Sequence, residues 1–370
     1  METDLLIIGG GPAGLHAALT ADRAGARVVV ADETFSLGGQ LRQQTQWFSN
    51  LPGQYGYGKK RGTWVNEQLI NQVGASNVQV LKKHTMIGSY LNGNIGVSDG
   101  DKTFEIQSRK NIIAPGAQEE AKVFPGWTLP GVMTAGAAQI LINREKVLPG
   151  KRAVMVGSND FSLEVARQLN SCGITVEAIV EEKNQIICSD GELVKTVENV
   201  PVYTNSTIEI VTGAGEVEHV VIQTPDGLKE VNADLVCIAN GFSPILEPFE
   251  IMNCHFVYQK ELGGWLAAYN IHLQTTKPSC YIAGNAAGIT ELGPILLTGE
   301  IAALSALEAM GFISSAEGDE QKSRCWRELA NLESEKVLKA RTEMIADYHQ
   351  KHELNLPDYF MKIRGGKMYG

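Results

Sequence analysis

An apolar strand, Leu5 to Ile8, runs directly into Gly9-Gly10-Gly11-Pro12-Ala13-Gly14, then into a helix to about Ala24 and a second strand, Arg27 to Ala31, that leads onto Asp32. A βαβ unit must bury both faces of its strands, so this feature commits the chain to a parallel sheet covered by helices. In such a turn Gly9 permits the sharp strand-to-helix reversal, Gly11 lets the backbone approach a pyrophosphate, and Gly14 lets helix and strand pack closely. Pro12 and Ala13 open the helix, whose free N–H groups and positive dipole end face the anion. Asp32, eighteen residues after Gly14, is placed to accept hydrogen bonds from an adenosine ribose, with Glu33 beside it as a second candidate.

The pattern recurs 148 residues later. Ala153 to Val156 leads into Gly157-Ser158-Asn159-Asp160-Phe161-Ser162, a helix to about Ser171, and a strand from Thr175 to Val180. Two copies predict an α/β protein with two Rossmann-like, three-layer domains, the second inserted into the first. The expected boundaries are 1–117 with 275–315 for the first domain, 118–274 for the second, and a helical, charge-balanced tail over 316–370. Between the copies, 76–107 alternates apolar and polar residues around Asn92-Gly93 and Asp99-Gly100, which predicts antiparallel strands.

Of the 370 residues 44% are hydrophobic and 20% charged, as in a globular protein, and the net charge of -10 argues against a nucleic-acid surface. Met1 to Asp4 carries two acids, the wrong polarity for a signal peptide, which points to the cytoplasm. The most apolar stretch, 295–313, is broken by Thr298, Glu300, Ser305 and Glu308, so it reads as a core or amphipathic helix and no transmembrane segment is expected. Six cysteines stand singly without CxxC or zinc-type spacing, so no metal site is expected. No acid–base dyad or activated nucleophile is visible. His255 and His272 read as structural, and His349 and His352 as solvated.

Further motifs point the same way. Gly38-Gly39-Gln40-Leu41 follows the acid-ended strand; strands end at Ala114-Pro115-Gly116, at Ala239-Asn240-Gly241 and at Ala283-Gly284-Asn285. Together these resemble the two-dinucleotide-domain flavoproteins of the thioredoxin and glutathione reductase class. The resemblance implies FAD at the first turn, held by Gly9, Gly11, Pro12, Ala13, Gly14, Asp32, Glu33, Gly38, Gly39, Gln40, Leu41, Thr85, Met86, Ala114, Gly116, Gly284 and Asn285. It also implies that the helix beginning near Leu297, Thr298 and Glu300 aims its N-terminus at the electron-rich end of the flavin. Asn285 departs from the acid usual in that class. Disulfide-reductase chemistry does not follow, because residues 40–48 contain no cysteine.

A tighter resemblance rests on 30–33 with 38–41, on the long run Phe124-Pro125-Gly126-Trp127-Thr128-Leu129-Pro130-Gly131 through Gln139, and on 262–265 with 283–289. It is to the α-type FAD subunits of heteromeric amino-acid and amine dehydrogenases: proline and hydroxyproline dehydrogenases, opine oxidase, hydrogen cyanide synthase and sarcosine oxidase. This implies electron transfer with a second, substrate-oxidising flavoprotein of β type that works on an amino or imino acid. Cys325 stands alone in the tail, so an iron–sulfur cluster, like an FMN, is expected only at or in a partner, such as a small iron–sulfur subunit. Trp326, Leu329, Leu332, Val337, Ala340, Met344 and Tyr348 form an apolar stripe that packs on its own domain or on a partner.

Whether the second turn binds NAD stays open. Ser162, Glu164 and Glu181 favour it, with Gly157, Ser158, Asn159, Asn240 and Gly241 as further candidate contacts, whereas Asn159 also replaces the pyrophosphate glycine and Asp160 adds a repelling carboxylate. A working NAD site would make the chain a stand-alone NAD(P)H-dependent reductase of a small carrier or quinone. A silent flavin would make it a scaffold.

Overall fold

The computed structural model describes residues 1–364. The chain divides into two compact units, one formed by 1–118 together with 243 onward, the other by 119–242.

In the first unit five parallel strands run in the order Gln79–Lys82, Val28–Asp32, Glu2–Ile8, Thr103–Ile113, Cys280–Ile282. Leu5, Leu6 and Ile7 are wholly buried, as a strand covered on both faces requires. The antiparallel expectation for 76–107 holds only in part. Thr85–Ser89, Ile95–Ser98 and the start of Thr103–Ile113 do pair antiparallel, but Gln79–Lys82 joins the parallel sheet beside Val28–Asp32. The long strand switches partners along its length: its alternating start pairs with Ile95–Ser98, and its buried Asn111-Ile112-Ile113 end lies between Glu2–Ile8 and Cys280–Ile282. The helix Leu292–Met310 is long and apolar enough to cross a bilayer, yet it is largely buried in the core of this unit.

Two expected boundaries move. Residues 243–274, assigned by sequence to the second domain, belong to the first unit, because Phe249, Leu262, Leu266, Tyr269 and Ile271 are buried in the same core as the N-terminal strands. The tail is not separate either. Its helices Ser315–Leu332, Glu335–Lys351 and Asp358–Arg364 close this core through Cys325, Trp326, Leu329, Met344, Ile345 and Phe360; residues 365–370 of the expected tail lie outside the described ones. The Trp326 indole N–H donates to the Ile271 carbonyl at 3.0 Å. Arg341, fully buried, pairs with Glu333 at 2.7 and 2.9 Å and donates to the Tyr269 hydroxyl and the Ala287 carbonyl. His349, expected in solvent, is buried and accepts the Ile271 N–H at 3.1 Å. Helical periodicity revealed the apolar stripe but no sign of these polar locks.

The second unit has a five-stranded parallel sheet in the order Val132–Thr134, Leu235–Ile238, Arg152–Val156, Thr175–Val180, Val202–Tyr203. Alternation decides its layers. Ala153, Met155, Val176 and Ile179 face the helix Asp160–Ser171 through Leu163, Ala166 and Leu169. Val154, Val156, Ala178 and Val180 face an antiparallel sheet of Thr207–Thr212, His219–Thr224 and Gly227–Asn232 through Val220 and Ile222. Each face buries apolar area worth about 25 cal/mol per Å².

Candidate cofactor site

The turn at Gly9–Gly14 has the backbone that the sequence required. Gly9 has φ +105°, and a side chain there would collide with the Ala114 carbonyl; one at Gly14 would collide with the Gly9 carbonyl. A side chain on Gly11 would meet nothing within 4 Å, so the turn presents bare backbone to open space. The helix Pro12–Arg23 starts behind Gly11 with no side-chain cap, leaving its first N–H groups directed at that space.

Asp32, buried at the end of its strand, receives the Gly10 N–H at 2.6 Å on one oxygen and the Thr34 N–H and hydroxyl at 2.8 and 2.5 Å on the other. It therefore positions the glycine turn. Glu33 is exposed and makes no such contact. The second glycine pair packs on the first: the Gly38 N–H donates to the Gly10 carbonyl at 2.7 Å, and a side chain on Gly39 would sit 3.1 Å from the Gly11 Cα. Leu41 is buried beneath this turn, and Gln40 is exposed, bonded to Gln43. Ala114 donates to the Ile8 carbonyl at 2.8 Å, so the neighbouring strand ends beside Gly9, and Gly116 turns away at φ +89°. The His84 N–H donates to the Asp32 carbonyl, which brings the start of Thr85–Ser89 alongside; Thr85 is exposed and Met86 is core.

The late elements converge on the same turn. The Gly284 N–H donates to the Thr298 hydroxyl at 2.9 Å, and a side chain on Gly284 would stand 3.0 Å from the Ala13 Cβ. Asn285 spends its side-chain oxygen on the Thr290 N–H at 3.0 Å, so the substitution that stood out in the sequence stabilises a local turn. Leu297 is core. Glu300 is bonded by the Gln54 amide at 2.9 Å and the Tyr55 hydroxyl at 2.5 Å. Tyr55 lies 4.4 Å, ring centre to ring centre, from His16, whose Nδ1 is buried without a partner. Burial lowers the His16 pKa to about 4, against the opposing pull of Glu300. Burial raises that of Tyr55, and the Glu300 charge adds to the rise. Sequence reasoning missed Thr34, Gln54, Tyr55 and His16, which no short-range pattern connects to Glu300.

The residues fit a bound FAD. Besides the open Gly11, the Asn66 Oδ1 is buried without a partner, and it occupies the space a side chain on Gly38 would need. An orphan acceptor at the glycine turns calls for a donor the chain does not supply.

The second turn is arranged differently. A side chain on Gly157 would lie 2.5 Å from the Ala239 carbonyl, as in the first copy. Here, however, Asn159 bridges the turn, donating to the Ala239 carbonyl at 2.8 Å and accepting the Ser162 N–H at 2.9 Å as helix cap. Glu181, buried, accepts the Ser158 N–H and hydroxyl at 3.0 and 2.6 Å, and the Ile187 N–H bonds the same hydroxyl at 3.0 Å. Asp160 accepts from the Ser189 N–H and hydroxyl, the Asp190 N–H and the Cys188 thiol at 2.7 to 3.1 Å. Burial works to raise the Asp160 pKa, but these bonds outweigh it and hold the carboxyl below its ordinary value. The segment 187–190 is thus tied over the helix N-terminus. Glu164 pairs with Arg167 and Gln168, Asn240 is exposed, and the Gly241 carbonyl accepts the Glu120 N–H.

All six cysteines are free thiols. Cys254 and Cys280, which the sequence presented as isolated, are neighbours in the core, with Thr275 3.4 Å from the Cys254 sulfur. Cys280 opens the strand whose far end leads to Gly284.

The profile of the pyridine nucleotide-disulphide oxidoreductase family matches residues 3–305. The opine oxidase A chain of Agrobacterium tumefaciens (strain Ach5) is 28% identical over 338 residues, covering 84% of this chain and 67% of that one. The sarcosine oxidase alpha chain of Rhizobium meliloti (strain 1021) is 28% identical over 326 residues, covering 83% of this chain and 31% of that one. The chain spans about two thirds of the opine oxidase subunits and about one third of the sarcosine oxidase subunits that it matches. Among solved structures, L-proline dehydrogenase from P. horikoshii superposes with a TM-score of 0.70 at 22% identity, over 88% of this chain and 59% of that one. The thioredoxin reductase of T. acidophilum superposes with a TM-score of 0.68 at 18% identity, over 84% of this chain and 99% of that one. The chain belongs to the pyridine nucleotide-disulphide oxidoreductase family, FAD-binding oxidoreductases built on two dinucleotide-binding domains.

Proposed function

We propose that this chain is the FAD-binding, electron-transferring subunit of a heteromeric amino- or imino-acid dehydrogenase of the proline, hydroxyproline, opine or sarcosine type. FAD, when bound at the first glycine turn, supplies the capacity to accept and pass on electrons. Gly9, Gly11, Gly14 and the helix Pro12–Arg23 hold its pyrophosphate, Asp32 its adenosine ribose, and Gly284 with Thr298 the turn against which its other half rests. The substrate-oxidising flavoprotein of β type is a separate polypeptide, and an FMN or an iron–sulfur cluster belongs to it, to the interface or to a further small subunit.

The observation that carries this reading over a stand-alone nicotinamide-dependent reductase is the second turn. Its helix N-terminus is occupied by the chain's own segment 187–190, with Asp160 facing where a pyrophosphate would lie. A reductase without a nicotinamide site needs electrons from elsewhere. Its relatives are subunits of opine and sarcosine oxidases, which supports a partner subunit as the source.

Native purification followed by mass spectrometry and a flavin spectrum tests the reading. A stoichiometric second flavoprotein with more than one flavin per pair supports it. A flavin in the lone chain that bleaches rapidly with NADH would replace it with the stand-alone reductase, and a flavin reduced neither by NADH nor by amino acids in the intact complex would leave a scaffold.

A further inference from the structure

Residues 34–66 contain no Asp or Glu, in a chain that holds 42 of them and carries a net charge of -10. The same stretch carries Arg42, Lys59, Lys60 and Arg61 among six aromatic residues. Folding concentrates them. Trp47 and Phe48 pair antiparallel with Arg61 and Lys60, which sets the Arg61 guanidinium 5.2 Å from the centre of the Trp47 ring and the Lys60 ammonium 4.7 Å from that of Trp64. Trp47 is 56% exposed. None of Lys59, Lys60 and Arg61 has a carboxylate partner among the described residues.

This face is a fixed ledge. At one end Gly38 is bonded to Gly10 at the cofactor turn. At the other, the Gly53 N–H donates to Glu328 at 3.1 Å, and Tyr55 bonds Glu300 on the helix Leu292–Met310. The ledge therefore runs from one end of the cofactor turn to the helix that closes the other. An exposed tryptophan held flat by an arginine is the composition of an interface anchor, because it loses little side-chain freedom on docking.

We propose that the basic aromatic ledge of Trp47, Lys59, Lys60 and Arg61 docks an acidic face of the second flavoprotein, beside the FAD turn. The proposal rests on the heteromeric reading above. Charge complementarity selects the occupant: three adjacent cations without carboxylates, on an otherwise acidic chain, steer an acidic protein surface into register. Nucleic acid is the weaker match, since so few cations make a short phosphate track and the rest of the chain repels it.

The test uses the complex as purified, treated with a carbodiimide, which joins lysine amines to carboxylates only in direct contact. The expected products are peptides linking Lys59 or Lys60 to Asp or Glu of the second flavoprotein. The triple variant Lys59→Glu, Lys60→Glu, Arg61→Glu should keep its FAD and melting temperature while its association weakens about tenfold or more at low salt. Poly-L-glutamate, a defined acidic probe, should bind the free wild-type chain and not the variant. A complex whose cross-links lie elsewhere and which the triple variant leaves intact overturns the ledge but keeps the heteromeric reading. Absence of any second flavoprotein overturns both. A labelled oligonucleotide that binds wild type and not the variant reassigns the face to nucleic acid and overturns the proposal.

Discussion

Gly299 meets Ala13 backbone to backbone: the helices Leu292–Met310 and Pro12–Arg23 cross there, and a side chain on Gly299 would run into the Ala13 carbonyl oxygen. Ala13 belongs to the first glycine turn, where FAD is proposed to bind, so this crossing sets how closely the two helices approach there. Gly299→Val forces the helices apart, an overpacking cost of about 1–3 kcal/mol. Thermal melts should show a clear fall in melting temperature, and the purified variant should carry well under one flavin per chain. A fully flavinated Gly299→Val would show that the crossing does not govern cofactor retention.

Asp32 binds Gly10 and Thr34 through separate oxygens. Asp32→Ala releases the glycine turn as well as losing the ribose acceptor; hydrogen bonds to a charged group are worth about 1.5–3 kcal/mol each. FAD affinity, titrated by flavin fluorescence on the apoprotein, should weaken by about tenfold to a hundredfold. Thr34→Val should weaken it less, because Gly10 keeps its partner.

His16 is neutral in the fold, with its pKa lowered to about 4 from an ordinary 6.5. The unfolded chain therefore binds a proton that the folded chain refuses between those values. This contribution is complete above pH 6.5 and is lost as pH falls toward 4, amounting at most to about 3 kcal/mol. Denaturant melts across that window should fall off more steeply for wild type than for His16→Leu. Equal slopes would mean that the imidazole protonates in place.

Asp160 ties the segment 187–190 to the second helix start. The Cys188 thiol is pushed up to about 12 by burial and by its bond to Asp160. Asp160→Ala should free the segment and lower that pKa, so peptide-resolved alkylation of Cys188 at pH 8 should accelerate about tenfold or more, with Cys172, already exposed, as the unchanged control. NADH should still leave the wild-type flavin unbleached.

Arg341 and Glu333 form a fully buried ion pair. Arg341→Ala strands the carboxylate in the core, a loss of about 3–5 kcal/mol, whereas Arg341→Met with Glu333→Leu should recover much of it. Chemical denaturation of both variants decides the matter.

The two glycine turns were legible because each requirement, a left-handed residue at Gly9 or a missing side chain at Gly14, acts within a few residues of chain. The return to the first unit was not: residue 275 looked like the crossing, but Leu262, Leu266 and Tyr269 share the core of the N-terminal strands, and local pattern is blind to partners so distant in the chain. The tail failed in the same way. Its stripe was visible, yet its partner was the core of its own unit. At the second turn two signals opposed each other, Gly157 with Glu181 for a nucleotide and Asp160 against. In the fold this helix start is covered by a loop 27 to 30 residues beyond Asp160, whose backbone N–H groups no composition reveals.

The inserted position of the second unit has a consequence for synthesis. Its residues, 119–242, are contiguous and leave the ribosome in one piece, whereas the first unit lacks Gly284, Thr298 and the Arg341 lock until the segment that follows the insertion has been made. The middle of the protein can therefore close its core before the first unit does, because Thr103–Ile113 keeps one edge unpaired until Cys280–Ile282 arrives.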